Sequence, residues 1–227
     1  MSSSLIGLFK KLEWTDFRGS PSQKELQALQ NAAASSGQTV GMAGTSSTFN
    51  VKFSGKDDPV LNSVPGASTF VLDDNVIATV VFDPQKSWKR IDPLSDIGKD
   101  LLLDHEQGHY DISALMARDC FIDIMQLKAK TYATKKDGED EAKNIVKSYK
   151  DKLQKVQDEY DDDTTHGAWV QPSSGFFKER KSSDQLKWEN FFNQARTSAR
   201  ASGDSSPDGI AYKIRLLDVL KAAGFNI

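Results

Sequence analysis

Cysteine is almost missing from this 227-residue chain. The single Cys120 excludes any intrachain disulfide, so the fold must hold through its core alone. A long apolar run is missing too. No segment approaches the ~20 residues that cross a bilayer, so no transmembrane segment is expected. The N-terminal run from Leu5 to Phe9 is too short for a signal-peptide core, and no small-residue cleavage site follows it. That pattern fits a cytoplasmic protein, a processed chain or export by another route. Excess positive charge is also lacking: 29 Lys and Arg stand against 32 Asp and Glu, interspersed, for a net charge of −3. Nucleic acid is therefore not an expected partner. With 38% apolar and 27% charged residues the chain reads as globular. Its length allows one large domain, or a core domain with an appendage.

Residues 12–90 read as β-rich, with short segments of β-branched and aromatic residues at Val40–Met42, Thr48–Phe53, Ser68–Leu72 and Val76–Phe82. The last two are close enough to form a hairpin across Asp73–Asn75. Gln23 to Ala34 reads as a helix after Pro21-Ser22. From Ser95 the period changes: Ile97, Leu101, Leu102, His105, His109, Ile112, Leu115, Met116, Phe121, Ile124 and Leu127 recur at three- and four-residue steps, which predicts a helix over Asp96–Tyr132. A turn at Lys135–Gly138 ends it. A second helix, about Asp140 to Tyr160, carries Ile145, Tyr149, Leu153, Val156 and Tyr160 on one stripe, and its charged faces read as solvated. Asp161–Gly167 is then a loop and Pro172–Gly175 a hinge. Two further helices are expected at Asp184–Arg200 and Ile210–Ala223.

The first long helix bears His105-Glu106-Gln107-Gly108-His109, the H-E-x-x-H pattern of zinc hydrolases. Residues four apart lie on nearly one helical face, so both imidazoles can reach one metal. Glu106 is rotated off that line, toward where a zinc-activated water would sit. Zinc lowers the pKa of such a water to about 7, and a glutamate there can take its proton. The bland reading is two helix histidines beside a solvated acid. It is weakened by the presence of only three histidines in the whole chain.

A catalytic zinc usually takes three protein ligands. His166 is the one histidine left, and chain geometry favours it. From His109 to Tyr132 the helix covers roughly 35 Å at 1.5 Å per residue. An antiparallel return helix brings the chain back to the level of the metal just before His166. Glu159, Asp161, Asp162 or Asp163 are alternative third ligands, which would leave His166 as a hydrogen-bond donor or a solvated residue. The compact H-E-x-x-H-x-x-G-x-x-H arrangement is excluded, since Leu115 stands where its last histidine would be. Asp111, Asp161 and Asp163 are candidates to accept from the far nitrogens of the histidines. Tyr110 and Tyr160 are candidates to stabilise an oxyanion, although an aromatic at helical spacing is more often core.

The segments Trp14-Thr15-Asp16-Phe17-Arg18-Gly19-Ser20-Pro21, Phe82-Asp83-Pro84, Ser87-Trp88, Leu102 to Asp111, and Tyr160-Asp161-Asp162-Asp163-Thr164-Thr165-His166-Gly167 stand in an order and at a spacing that resemble one family. It is a bacterial domain-of-unknown-function family of predicted secreted zinc-dependent proteases, grouped with the zincin superfamily of H-E-x-x-H metallopeptidases. The resemblance covers about residues 10–170. It implies a zincin-like α+β fold: a small, mostly antiparallel sheet packed on a long active-site helix, with an antiparallel return helix. It also implies a Zn2+ cofactor held by His105, His109 and His166, with Glu106 as general base, and it implies export, for which this chain shows no signal peptide.

Residues 1–170 thus form the expected metallopeptidase domain and 171–227 a helical extension that the resemblance does not cover. The extension sets Phe176, Phe177, Trp188, Phe191, Phe192 and Phe225 among basic groups. Packing on the first domain is favoured over docking of a protein partner. Two functions are expected to compete. One is a zinc endopeptidase acting on a peptide or protein. The other is a non-catalytic, zinc-stabilised binding or accessory protein of an export or injection system. Glu106 discriminates them, because a structural zinc site has no use for an acid there.

Overall fold

A computed structural model describes residues 3–36, 40–92, 94–164, 169–170, 181–197 and 214–227. The chain is mixed α+β. Its described elements run β1 (Ser4–Ile6), a 3-10 turn (Trp14–Asp16), α1 (Gln23–Ser36), β2 (Val40–Gly44), β3 (Ser47–Phe53), β4 (Leu61–Ser63), β5 (Phe70–Leu72), β6 (Val76–Phe82), β7 (Trp88–Arg90), α2 (Asp96–Leu127), α3 (Lys135–Asp163), β8 (Trp169–Val170), α4 (Ser183–Thr197) and α5 (Leu216–Ala222).

Three small sheets form. In the largest, β6 lies between β1, which is parallel to it, and β3, which is antiparallel. Strand alternation gives this sheet one apolar face: Phe49, Val51 and Phe53 of β3 and Val76, Ala78 and Val80 of β6 are all buried. That face packs on α2. A second sheet has the order β7-β2-β8, and β4 pairs with β5. The expected hairpin across Asp73–Asn75 does not form. The seven-residue β6 pairs along its whole length with β3, whereas β5 has only three residues to offer and takes β4. The Asp73 carboxylate turns the chain between them by accepting from the Asn75 amide at 2.9 Å and the Ser54 hydroxyl at 2.5 Å.

Helix α2 starts at an N-cap, Ser95, whose hydroxyl accepts from the Gly98 amide at 3.0 Å. Every residue from Gly108 to Phe121 is buried. The sheet covers one side of α2, α3 another, and α4 with α5 a third. This is why no polar face interrupts that stretch. The helix ends at Leu127 rather than Tyr132, because Tyr132 leaves it to pair with Phe70 of β5 through two backbone hydrogen bonds.

Helix α3 is longer than the sequence suggests at both ends. Thr134 caps it by accepting from the Asp137 amide at 3.2 Å, so Lys135–Gly138 is its first turn. It continues through Asp163, so Asp161 is helical and not part of a loop. It runs antiparallel to α2: Tyr149 bonds to Asp123, Gln157 reaches Ser113 and His109, and Tyr160 reaches His105. Trp188, Phe191, Phe192, Leu216 and Leu220 of α4 and α5 join the same hydrophobic core as α2 and α3. Phe176 and Phe177 lie outside the described residues. No helix among the described residues is long and apolar enough to cross a membrane.

Candidate metal centre

His105 and His109 sit one turn apart on α2, and both are buried. Their Nε2 atoms point at each other across 3.1 Å. Asp161, in the last turn of α3, brings Oδ1 to 3.3 Å from the first and 3.1 Å from the second. These are the residues that could hold a metal ion among those described. In a tetrahedral zinc shell with bonds of about 2.0–2.1 Å, neighbouring ligand atoms lie about 3.3 Å apart. The three atoms therefore already stand at the edges of such a shell.

The far nitrogens decide which atoms face the site. His109 Nδ1 lies 2.6 Å from Gln157 Oε1, an atom that can only accept. Gln157 is oriented in turn by donating its Nε2 to the His109 carbonyl at 3.0 Å. His105 Nδ1 lies 3.2 Å from Thr164 Oγ1, whose own proton goes to the Tyr160 carbonyl at 2.5 Å. Both rings thus donate from Nδ1 and present Nε2 lone pairs to one point, the arrangement that metal-binding histidines require.

When protonated, the same Nε2 atoms are the donors that Asp161 faces. Burial works to raise the Asp161 pKa, but hydrogen bonds from His105 and His109 outweigh it and hold the carboxylate well below its usual range. Burial works to discharge His109, but the hydrogen bond and charge of Asp161, with Glu106 and Gln157 adding to them, raise it to about 9. Two ring nitrogens and two acids thus create a strong demand for positive charge at this point. Glu106 is 1% exposed, and its Oε2 is buried with no hydrogen-bond partner among the described residues. A buried carboxylate oxygen left without a partner is costly unless something outside the protein serves it.

His105, Glu106, His109, Gln157 and Asp161 line a cleft of about 760 Å³ whose wall continues through Trp88 and the run Met42–Ser47, from the end of β2 to the start of β3. The hydroxyl of Thr45 on that wall is also buried without a partner among the described residues. The sequence segments that precede the histidine helix meet here. Ser87 accepts from the Ser46 amide at 2.9 Å, Gly19 donates to the Ser87 carbonyl at 2.8 Å, and Phe17 packs on Phe82.

Other expectations come out differently. His166 lies outside the described residues. Asp161, weighed both as ligand and as support, stands on the Nε2 side of the rings, while the supporting positions are filled by Gln157 and Thr164. Asp111 supports neither histidine: it accepts from Gln107 at 3.0 Å and pairs with Arg196 at 2.6 Å. Asp163 accepts from Trp188 at 3.0 Å. Tyr110 donates to the Gly7 carbonyl. Tyr160 is fully buried beneath the site, its ring stacked on His105 at 4.8 Å and its hydroxyl bonded to the His105 carbonyl and to Gln185. Gln157 and Thr164 were within reach of the sequence: four before and three after Asp161, they share its helical face once α3 is extended to Asp163.

No curated protein and no solved structure matches the chain. Residues 13–167 do match one family, described as bacterial protein of unknown function (DUF922), over a stretch that begins beside the Trp14 motif and ends just after His166. That match spans more than half of the chain, which therefore belongs to the DUF922 family of bacterial proteins of unknown function.

Proposed function

We propose that this protein is a zinc-dependent peptidase of the zincin kind, with its metal on His105, His109 and Asp161 and with Glu106 as the proton carrier. The observation that carries this reading is the buried Glu106 Oε2, unpartnered among the described residues, in the cleft onto which two Nε2 atoms converge. A site that only stabilised the fold would satisfy its own carboxylates. When bound, zinc would supply Lewis-acid polarisation of a carbonyl and make water easier to deprotonate. Glu106 accepts the proton from the attacking water and returns it to the leaving amine. Its burial, at 1% exposure, limits its contact with bulk water. The cleft wall from Met42 to Ser47 would set the Thr45 hydroxyl beside a bound peptide.

The test is metal content together with cleavage of a denatured-protein panel. Wild type is expected to bind one zinc and to cleave. Glu106→Gln keeps the zinc and loses at least ~100-fold in rate, within the range of a general base. Removing the metal with a chelator abolishes cleavage, and at free zinc a hundredfold above Kd the loaded protein is about 2.7 kcal/mol more stable than the metal-free one. Stoichiometric zinc with no cleavage of any panel member, and Glu106→Gln as stable as wild type, would favour the binding or accessory protein instead.

A further inference from the structure

Resting on that metal reading, we infer that α4, which lies beyond the family-matched residues, completes the metal centre, with Gln185 and Trp188 as positioning residues for its ligands. Tyr160 is the link. Its ring stacks on His105 at 4.8 Å and 11° and meets His109 edge-on at 5.0 Å, so it is the surface on which both imidazoles rest. It also directly precedes Asp161 in the chain. The other side of Tyr160 is closed by α4: Trp188 packs edge-on at 5.2 Å, and Gln185 Oε1 takes the hydroxyl at 2.9 Å.

That acceptor is itself held in place. Gln185 Nε2 donates to Glu189 at 3.2 Å, and Glu189 pairs with Lys181 at 2.8 Å. Lys181 also pairs at 2.8 Å with Asp104, the residue before His105. A second tie secures the end of α3. Asp161, Asp162 and Asp163 place three acids in its last turn, where the helix dipole disfavours negative charge. Trp188 Nε1 donates to Asp163 Oδ2 at 3.0 Å, and Lys187 Nζ lies 3.3 Å from the same oxygen. The turn that presents Asp161 and Thr164 to the histidines is thereby pinned from α4. One helix therefore controls both the surface under the imidazoles and the position of the third ligand.

The full chain carrying Gln185→Leu, and separately Trp188→Phe, tests this. Gln185→Leu removes the nearer of the two acceptors of the Tyr160 hydroxyl and leaves the His105 carbonyl. Trp188→Phe keeps an aromatic edge on Tyr160 and removes the bond to Asp163. The readouts are zinc affinity by chelator competition, the visible absorption of the cobalt-loaded protein, and the melting temperature of the metal-free protein. Each variant is expected to bind zinc about tenfold more weakly, the low end for residues that orient metal ligands, with an altered cobalt spectrum; Trp188→Phe also empties buried volume and lowers the metal-free melting temperature, so affinity and spectrum are read well below it. A Trp188→Phe protein with wild-type affinity and spectrum would overturn the inference, even if Gln185→Leu failed to fold. Wild type that binds neither zinc nor cobalt would instead overturn the metal reading itself, and this inference with it.

Discussion

Gly108 separates the requirements of the metal motif from ordinary helix chemistry. A Cβ built there would lie 2.2 Å from the Tyr160 hydroxyl oxygen and 2.5 Å from its Cζ, so a whole buried ring would have to shift. In an exposed helix, replacing glycine by alanine gains about 1 kcal/mol. Here overpacking, at about 1–3 kcal/mol, opposes that gain. Gly108→Ala is expected to melt below wild type and to bind zinc more weakly, because Tyr160 carries His105. A higher melting temperature would show that Tyr160 does not need the gap. The neighbouring Gln107 acts elsewhere. It accepts from the Leu12 amide at 2.8 Å and donates to the Lys10 carbonyl at 3.1 Å, tying the N-terminal segment to α2. His105, Glu106 and His109 were legible in the sequence because their relation is local, one helical turn. Asp161 stood only among several candidates, and Gln157 and Thr164 went unread, because their placement against the histidines depends on the register of α3 against α2 across more than forty residues.

Long, strongly periodic elements were the most legible part of the fold, and the ends and short strands the least. The core stripe of α2 and the alternation in β3 and β6 follow from side-chain period alone. Strands β1, β4, β7 and β8 are two or three residues each, too short to carry a period, and exist because neighbours pair with them. The start of α3 is hidden because Lys135-Lys136-Asp137-Gly138 resembles a turn, while the deciding group is the Thr134 hydroxyl just before it. Gly138 is tolerated in that first turn and is buried against Leu61 and Tyr132, where a side chain would clash. The cap is testable. Thr134→Ala is expected to cost about 1 kcal/mol, which for a chain of this size lowers the melting temperature by roughly 2–4 °C. Metal affinity should be unchanged, because the cap lies at the opposite end of α3 from Asp161. An unchanged melting temperature would restore the reading of 135–138 as a turn outside the helix.

Sequence reasoning set a boundary at residue 170 and expected the extension to pack on what precedes it, and α4 and α5 do share one core with α2 and α3. Arg118 and Asp119, both buried in the middle of α2, pair at 2.6 Å. Arg118 also donates to the carbonyls of Ala195, in α4, and Ile214, just before α5, at 2.8 and 3.2 Å. The second oxygen of Asp119 accepts from the Leu216 amide at 2.7 Å. Arg215 adds bonds to the Asp119 carbonyl and to Asp123. The backbone ends of both C-terminal helices are thus satisfied by charged groups of the helix that carries His105 and His109. Breaking a buried pair from one side leaves the other charge uncompensated, at a cost of about 3–5 kcal/mol. Arg118→Leu is therefore expected to lower the free energy of unfolding by that amount, read as a lower urea midpoint at an unchanged slope, while keeping a single transition, since α4 and α5 share one core with α2 and α3. Limited proteolysis under native conditions should then cut the variant faster throughout, with no stable fragment ending near residue 170. Two separate transitions, or a protected fragment of residues 1–170 that still binds zinc, would show the extension to be an independent appendage, and would count against α4 as part of the metal centre.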